Sequence, residues 1–325
     1  TVALAEKAGF TAFKGLINAV LRRITREPPI LQDKPGKVNT PSWLWKSWVA
    51  THGEKAARAI AAAHLIEPPL DIAVKGDAEK WAAALDAEIL PTGALRRASG
   101  GDIRALPGYD EGAWWVQDAA AQLPAQLMGD VAGLTVADLC AAPGGKAAQL
   151  AAAGAKVIAL DESATRLKRL HENMDRLHLD VDVIAGDAGK WRPQTPVDKV
   201  LLDAPCTATG AARRHPDILR LKSERDPGRL AVEQARLLRN AVHIVKPGGM
   251  VIYATCSLQP EEGAAQIKSL LRENPAITRD PIDASEVPGL ANAITKDGDV
   301  RTLPGFWPER GGLDGFFIAR LRRAE

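Results

Sequence analysis

The stretch Leu134-Thr135-Val136-Ala137-Asp138-Leu139, followed by Cys140-Ala141-Ala142-Pro143-Gly144-Gly145-Lys146, decides the fold. Its first six residues are apolar and β-branched enough to form a buried strand, and Ala147 onward has helical spacing. The small residues and paired glycines between let the backbone approach a ligand closely, at a helix N-terminus with free N–H groups. A phosphate-binding P-loop would need Gly at position 140 and Ser or Thr after the lysine, and Cys140 and Ala147 fail both requirements. The G-x-G-x-x-G spacing of dinucleotide sites is also absent.

Outward from this turn, Lys156 to Leu160, Val181 to Ala185, Val197 to Leu202 and Gly249 to Thr255 read as further buried strands. Helical segments separate the first three, which predicts an α/β fold with a doubly wound, Rossmann-like parallel sheet. Ligands of such sheets lie outside the carboxyl ends of the strands, so the residues following each run are the candidates. Asp161 closes the second strand, 17 residues after Gly144, where an acid can hold ribose hydroxyls, and Asp187 follows the third. Any one of these acids alone would be read as a helix cap. With Asp138 at the end of the first strand, three strand-end acids around a glycine turn suit a cofactor with a ribose, an adenine and a cationic head, such as S-adenosylmethionine.

The fourth strand runs into Leu202-Asp203-Ala204-Pro205-Cys206-Thr207-Ala208-Thr209-Gly210, and the fifth into Ala254-Thr255-Cys256-Ser257-Leu258-Gln259-Pro260-Glu261-Glu262. A lone cysteine there is usually a small buried hydrophobe. Two leaving adjacent strands beside a cofactor loop point to thiol chemistry. Pro260 and the glutamates read as a helix start, whose N–H groups would lower the thiol pKa of Cys256.

The rest of the chain is less explicit. Residues 1 to about 26 read as one amphipathic helix ending in Arg22, Arg23 and Arg26, and Pro28, Pro29, Pro35 and Gly36 as a linker. Trp43, Trp45 and Trp48 open a helix and are read as packing rather than as a base-stacking platform, and an alanine-rich helix follows from Glu54 to Leu65. Asp71 to Asp118 reads as a small α/β layer. The expected domains are therefore a helical N-terminal remnant with linker over 1–36, a small α/β region over 37–127 and the sheet domain over 128–325.

Of 325 residues, 46% are apolar and 25% charged, which excludes a wholly disordered chain, and a net charge of +2 does not by itself announce a nucleic-acid partner. No apolar run is long enough to span a membrane, so a cytoplasmic location without membrane partner is expected. Cys140, Cys206 and Cys256 lie far apart, which argues against a disulfide scaffold or structural zinc, and no metal is expected. The first residue, Thr1, suggests a segment of a longer protein.

The motifs Asp-Leu-Cys-Ala-Ala-Pro-Gly-Gly-Lys (138–146), Leu-Asp-Ala-Pro-Cys-Thr-Ala-Thr-Gly (202–210), Arg213-Arg214-His215-Pro216-Asp217 and Ala-Thr-Cys-Ser (254–257) resemble those of RNA cytosine-C5 methyltransferases. The closest resemblance is to the Sun/Fmu group acting on 16S ribosomal RNA, and Phe13 to Arg23 resemble the last helix of that group's NusB-like RNA-binding domain. Gly263 departs from an asparagine common in the family, and Ala147-Ala148 from hydroxyl residues. The resemblance implies S-adenosylmethionine bound by Cys140, Ala141, Ala142, Pro143, Gly144, Gly145, Lys146, Asp161, Asp187 and Asp203, and a 16S ribosomal RNA substrate handled by a monomer. It assigns attack on cytosine C6 to Cys256 and release to Cys206, with Asp203 placed to protonate N3. Arg213, Arg214 and His215, beside the catalytic loop, are expected to contact RNA phosphates. A tRNA substrate and a non-catalytic RNA assembly factor are the alternatives; an NAD oxidoreductase lacks the glycine spacing.

Overall fold

The computed structural model describes residues 1–27 and 35–325. The amino end is two helices rather than one, α1 (Val2–Lys7) and α2 (Lys14–Arg26). Gly9 at φ +81° ends the first, with Phe10 N–H donating back to the Ala5 carbonyl, a closure that favours glycine. The expected linker falls largely on 28–34, outside the described residues. Pro35 and Gly36 are not linker but the start of α3 (Pro35–Asn39), and Gly36 lies tight against the backbone of Ala61. Next come α4 (Ser42–His52) and α5 (Glu54–Ala63). Trp48 is fully buried between them and the loop after the fifth strand of the main sheet, so it serves packing, as its sequence suggests.

The small layer is an antiparallel sheet of β1 (Leu70–Val74), β2 (Glu88–Ile89), β3 (Leu95–Arg97) and β4 (Trp114–Val116), in the order β2-β3-β1-β4, with α6 (Ala78–Leu85) over it. Its definition comes from a buried ion pair rather than from alternation: Asp71 on β1 receives both Arg96 nitrogens, at 2.6 and 2.7 Å. Helix α7 (Ala119–Gln126), capped by Asp118, leads into the main sheet.

That sheet contains β5 (Thr135–Leu139), β6 (Lys156–Asp161), β7 (Asp182–Ala185), β8 (Val197–Asp203) and β9 (Val245–Thr255), parallel to one another, with helices α8 (Gly145–Ala152), α9 (Ala164–Leu177), α10 (Ile218–Leu221) and α11 (Asp226–Ile244) between them. Helix α12 (Ala264–Glu273) is followed by β10 (Ile277–Arg279), β11 (Val300–Arg301) and β12 (Phe317–Arg323). The order is β10-β12-β9-β8-β5-β6-β7, β12 being antiparallel to both its neighbours and β11 pairing with it. The chain winds outward from β5 through β6 to β7, then returns to place β8 on the other side of β5, so the direction reverses between β5 and β8. This is the Rossmann-like, doubly wound arrangement, and its ligand crevice opens at that reversal. Helix α9 shows why the pattern was legible: Leu167, Leu170, Met174 and Leu177 are its buried stripe, Ser163 caps its first turn, and each buried side chain stabilises by about 1.5–3 kcal/mol.

The scattered basic residues Arg320, Arg322 and Arg323 near the carboxyl end read from the sequence as a solvated face, yet β12 lies between β9 and β10, where Arg320 is buried against Glu286 at 2.6 Å.

Candidate functional site

The turn after β5 is shaped by contacts that its small residues permit. Gly144 has φ +104°, and a Cβ there would meet Leu170 and Met174 of α9 at 3.1 and 3.0 Å. Ala141 N–H donates to the Leu160 carbonyl at 3.0 Å, tying the turn to β6. Asp161 is enclosed, receiving Ser163 N–H at 2.9 Å, Ala142 N–H at 3.3 Å and Arg166 at 2.9 Å. Asp187 lies outside β7 and is gripped by Arg236 of α11 at 2.7 and 3.0 Å. Arg236, followed by the Gly189 N–H, holds its carboxyl below the usual range.

Asp138, one of the three strand-end acids of the sequence pattern, has no place among the ligands that the resemblance implies. It is 1% exposed, and neither carboxylate oxygen makes a well-formed hydrogen bond. Burial pushes its pKa up to about 8, with Lys146 and the Ala147 N–H opposing and Asp203 and Asp161 adding to the rise. An unpaired carboxyl beneath the glycine turn is complementary to a cationic ligand head. Cys140, by contrast, is kept as a thiol: burial, then the charges of Asp161, Asp203 and Asp138, push its pKa far up.

Lys146, expected at the cofactor, turns its Nζ to Asp203 Oδ2 at 2.6 Å and lies 5.4 Å from the centroid of the Phe316 ring. Burial disfavours its charge, but Asp203, Asp138 and Cys256 together raise its pKa, so it stays an ammonium.

The two thiols meet. Cys206 Sγ and Cys256 Sγ are 3.5 Å apart, both half-buried. Their loops are zipped by Gly210 N–H to the Cys256 carbonyl at 2.8 Å and by Leu258 N–H to Thr209 Oγ1 at 3.0 Å. Gly210 is required because a Cβ would lie 2.0 Å from the Gly315 carbonyl oxygen. The contact with Cys256, then dense surrounding protein, raise the Cys206 thiol well above its ordinary value. The helix start expected after Pro260 is only a single 3-10 turn, Pro260–Glu262, and α12 begins at Ala264. Glu262 folds inward, the Gln259 and Glu262 N–H groups are bonded within the loop and that of Leu258 to Thr209, so no helix N-terminus serves Cys256.

The expected phosphate contacts of Arg213 and Arg214 are corrected by the structure. The Arg213 side chain is 1% exposed, bonded to Asp314 at 2.7 Å and Asp118 at 3.1 Å, and Arg214 reaches Asp118 at 2.7 Å and Asp314 at 3.3 Å. These carboxylates lie about a hundred residues away in sequence, so the pair looked free. The cluster instead fastens the loop after β8 to the cap of α7 and to the segment before β12. His215 alone of the three is exposed. Among the described residues no cluster of three or more His, Cys, Asp or Glu side chains could hold a metal, and no helix is long and apolar enough to cross a membrane.

Small-subunit ribosomal RNA methyltransferase B of Cronobacter sakazakii is 37% identical over 95% of this chain and 73% of its own length. The protein of that name from Pseudomonas putida is 38% identical over 99% of this chain and 76% of its own. Among solved structures, the crystal structure of PH0851 is 26% identical with a TM-score of 0.84, covering 99% of this chain and 75% of that one. A methyltransferase homologue from Pyrococcus horikoshii, 24% identical with a TM-score of 0.72 over 90% of this chain and 98% of that one, shares the fold. The family model described as 16S rRNA methyltransferase RsmB/F matches residues 126–322, and the chain belongs to that family.

Proposed function

We propose that this methyltransferase makes 5-methylcytosine in 16S ribosomal RNA through a covalent cysteine adduct, acting as a monomer. The observation that carries the reading is the pair of thiols 3.5 Å apart at the carboxyl ends of β8 and β9, beside the Lys146–Asp203 pair. The methyl donor is S-adenosylmethionine, held by the turn from Cys140 to Lys146 and bordered by Asp138, Asp161, Asp187 and Asp203. Residues 1–36 are the end of a helical NusB-like RNA-binding domain with its linker, 37–127 a small α/β RNA-binding or linker domain, and 128–325 the catalytic domain.

Cytosine C5 is a poor nucleophile. Addition of the Cys256 thiolate to C6 moves the ring electrons toward N3, where the Lys146–Asp203 pair delivers a proton, and leaves an enamine. S-adenosylmethionine supplies, when bound, the electrophilic methyl group that C5 then takes. A base must then take the C5 proton while the C6–S bond breaks and its electron pair leaves on the Cys256 sulfur, and the N3 proton returns to the Lys146–Asp203 pair as the ring is restored. Cys206, held as a thiol against Cys256, is placed to serve that release. The base must be unpaired or flipped, since a thiolate cannot reach C6 within a stack.

The test is methylation of unmodified 16S ribosomal RNA with labelled S-adenosylmethionine, followed by nucleoside mass spectrometry and bisulfite mapping. The expected product is 5-methylcytidine at a discrete position. Label in another nucleoside, or in transfer RNA alone, overturns the proposal.

A further inference from the structure

We infer that Glu262 is the positioning residue that holds the two thiols in register, an inference resting on the covalent reading above. Its carboxylate is fully buried and shared between the residues that follow the two cysteines. Oε1 accepts the Thr207 N–H at 2.9 Å, and Oε2 accepts the Thr207 and Ser257 hydroxyls, each at 2.5 Å. Gln234, itself fully buried, donates to Oε1 at 3.0 Å and to the Pro205 carbonyl at 2.9 Å. The Glu262 carbonyl oxygen accepts the Thr255 hydroxyl at 3.2 Å and that of Tyr253 at 2.9 Å. The residues on both sides of Cys206 and of Cys256 are therefore gripped, directly or through Gln234, by one side chain and its own backbone.

Glu262 touches no reacting atom. Its place is explained by geometry: four donors converge on it, and a shorter side chain would strand the Thr207 N–H and leave the Thr207 and Ser257 hydroxyls, 3.0 Å apart, only one another, and Gln234 only the Pro205 carbonyl. The groups facing Cys206 are Cys256 and Tyr253 of β9, Asp203 of β8, Arg301 of β11 and Glu262 itself. After the contact with Cys256 and burial, the Glu262 charge is the next influence keeping Cys206 protonated.

Two variants of the chain test this. In Glu262→Gln the amide oxygen can still take the Thr207 and Gln234 N–H groups, and the two hydroxyls can turn to accept from its NH2, so the brace survives without its charge. Alkylation by iodoacetamide, mapped to each cysteine by mass spectrometry without RNA, should show Cys206 reacting at lower pH than in wild type. Glu262→Ala should lower the single-turnover methylation rate at saturating RNA and cofactor by about 100-fold, with cofactor Kd unchanged and substantial rescue in Glu262→Gln. A folded Glu262→Ala protein with the wild-type rate overturns the inference. If that variant does not fold, an unmoved Cys206 alkylation profile in Glu262→Gln does so alone. The covalent reading fails on a separate result, methylation that survives Cys256→Ala.

Discussion

Lys146 Nζ stands 2.6 Å from Asp203 Oδ2, joining the end of the glycine turn to the end of β8 across the point where the sheet reverses direction. The contact links the cofactor side of the crevice to the cysteine side, and its partners are 57 residues apart. The side chains are 12% and 30% exposed, so the pair is neither fully screened nor fully desolvated.

The pair should act as a unit. Lys146→Met and Asp203→Asn should each cost about 10²–10⁴-fold in the rate of methyl transfer, the range of a lost proton-transfer group, and the double variant little more than either alone. A double-mutant cycle on single-turnover rates measures this, and independent, multiplicative losses would separate the two residues.

The cysteines should divide the reaction. Cys256→Ala is expected to abolish methylation and any RNA adduct. Cys206→Ala should still permit attack and methyl transfer, then stall as a protein–RNA species that survives denaturing electrophoresis. An adduct with Cys256→Ala and none with Cys206→Ala would reverse the assignment.

Asp138 should impose a pH dependence on stability. Its pKa in the fold is about 8 against an ordinary 3.8, so between those values the folded state binds more protons than the unfolded one. Stability in the absence of cofactor therefore falls as pH rises across that window. Asp138→Asn should flatten the curve of Tm against pH from 5 to 8; parallel curves for the two proteins would show that the carboxyl is not held protonated.

Asp161→Ala should weaken S-adenosylmethionine binding by about 1–3 kcal/mol, because it strands the Ala142 and Ser163 N–H groups and loosens the turn. Calorimetry decides it, and an unchanged affinity removes Asp161 from the cofactor site.

Arg213→Ala should destabilise the fold by about 3 kcal/mol, since it leaves the buried carboxylates of Asp118 and Asp314 to share the single guanidinium of Arg214. Urea denaturation reads this loss, while the salt slope of RNA binding should stay at the wild-type value. A lowered slope with unchanged stability would restore the phosphate contact.

The parallel sheet was legible in the sequence, though the break at Gly9, the start of α3 at Pro35 and the single 3-10 turn at Pro260 were not. Short apolar runs with turns of small residues between them marked the five parallel strands, because a strand buried on both faces must be apolar along its length. The residues at their carboxyl ends, Asp161, Asp187, Asp203, Cys206 and Cys256, followed from that pattern alone. What only the tertiary structure decided was the pairing of charges and the contacts that cross between strands. Arg213 looked like an exposed phosphate ligand because Asp118 and Asp314 come beside it only on folding. Glu262 looked like a helix-opening acid, yet its partner Thr207 is 55 residues away. Arg320 looked like a basic tail until β12 inserted between β9 and β10. Periodicity reports which face of an element is apolar, whereas a buried charge is tolerated only where a distant partner meets it, and no spacing along the chain records that meeting.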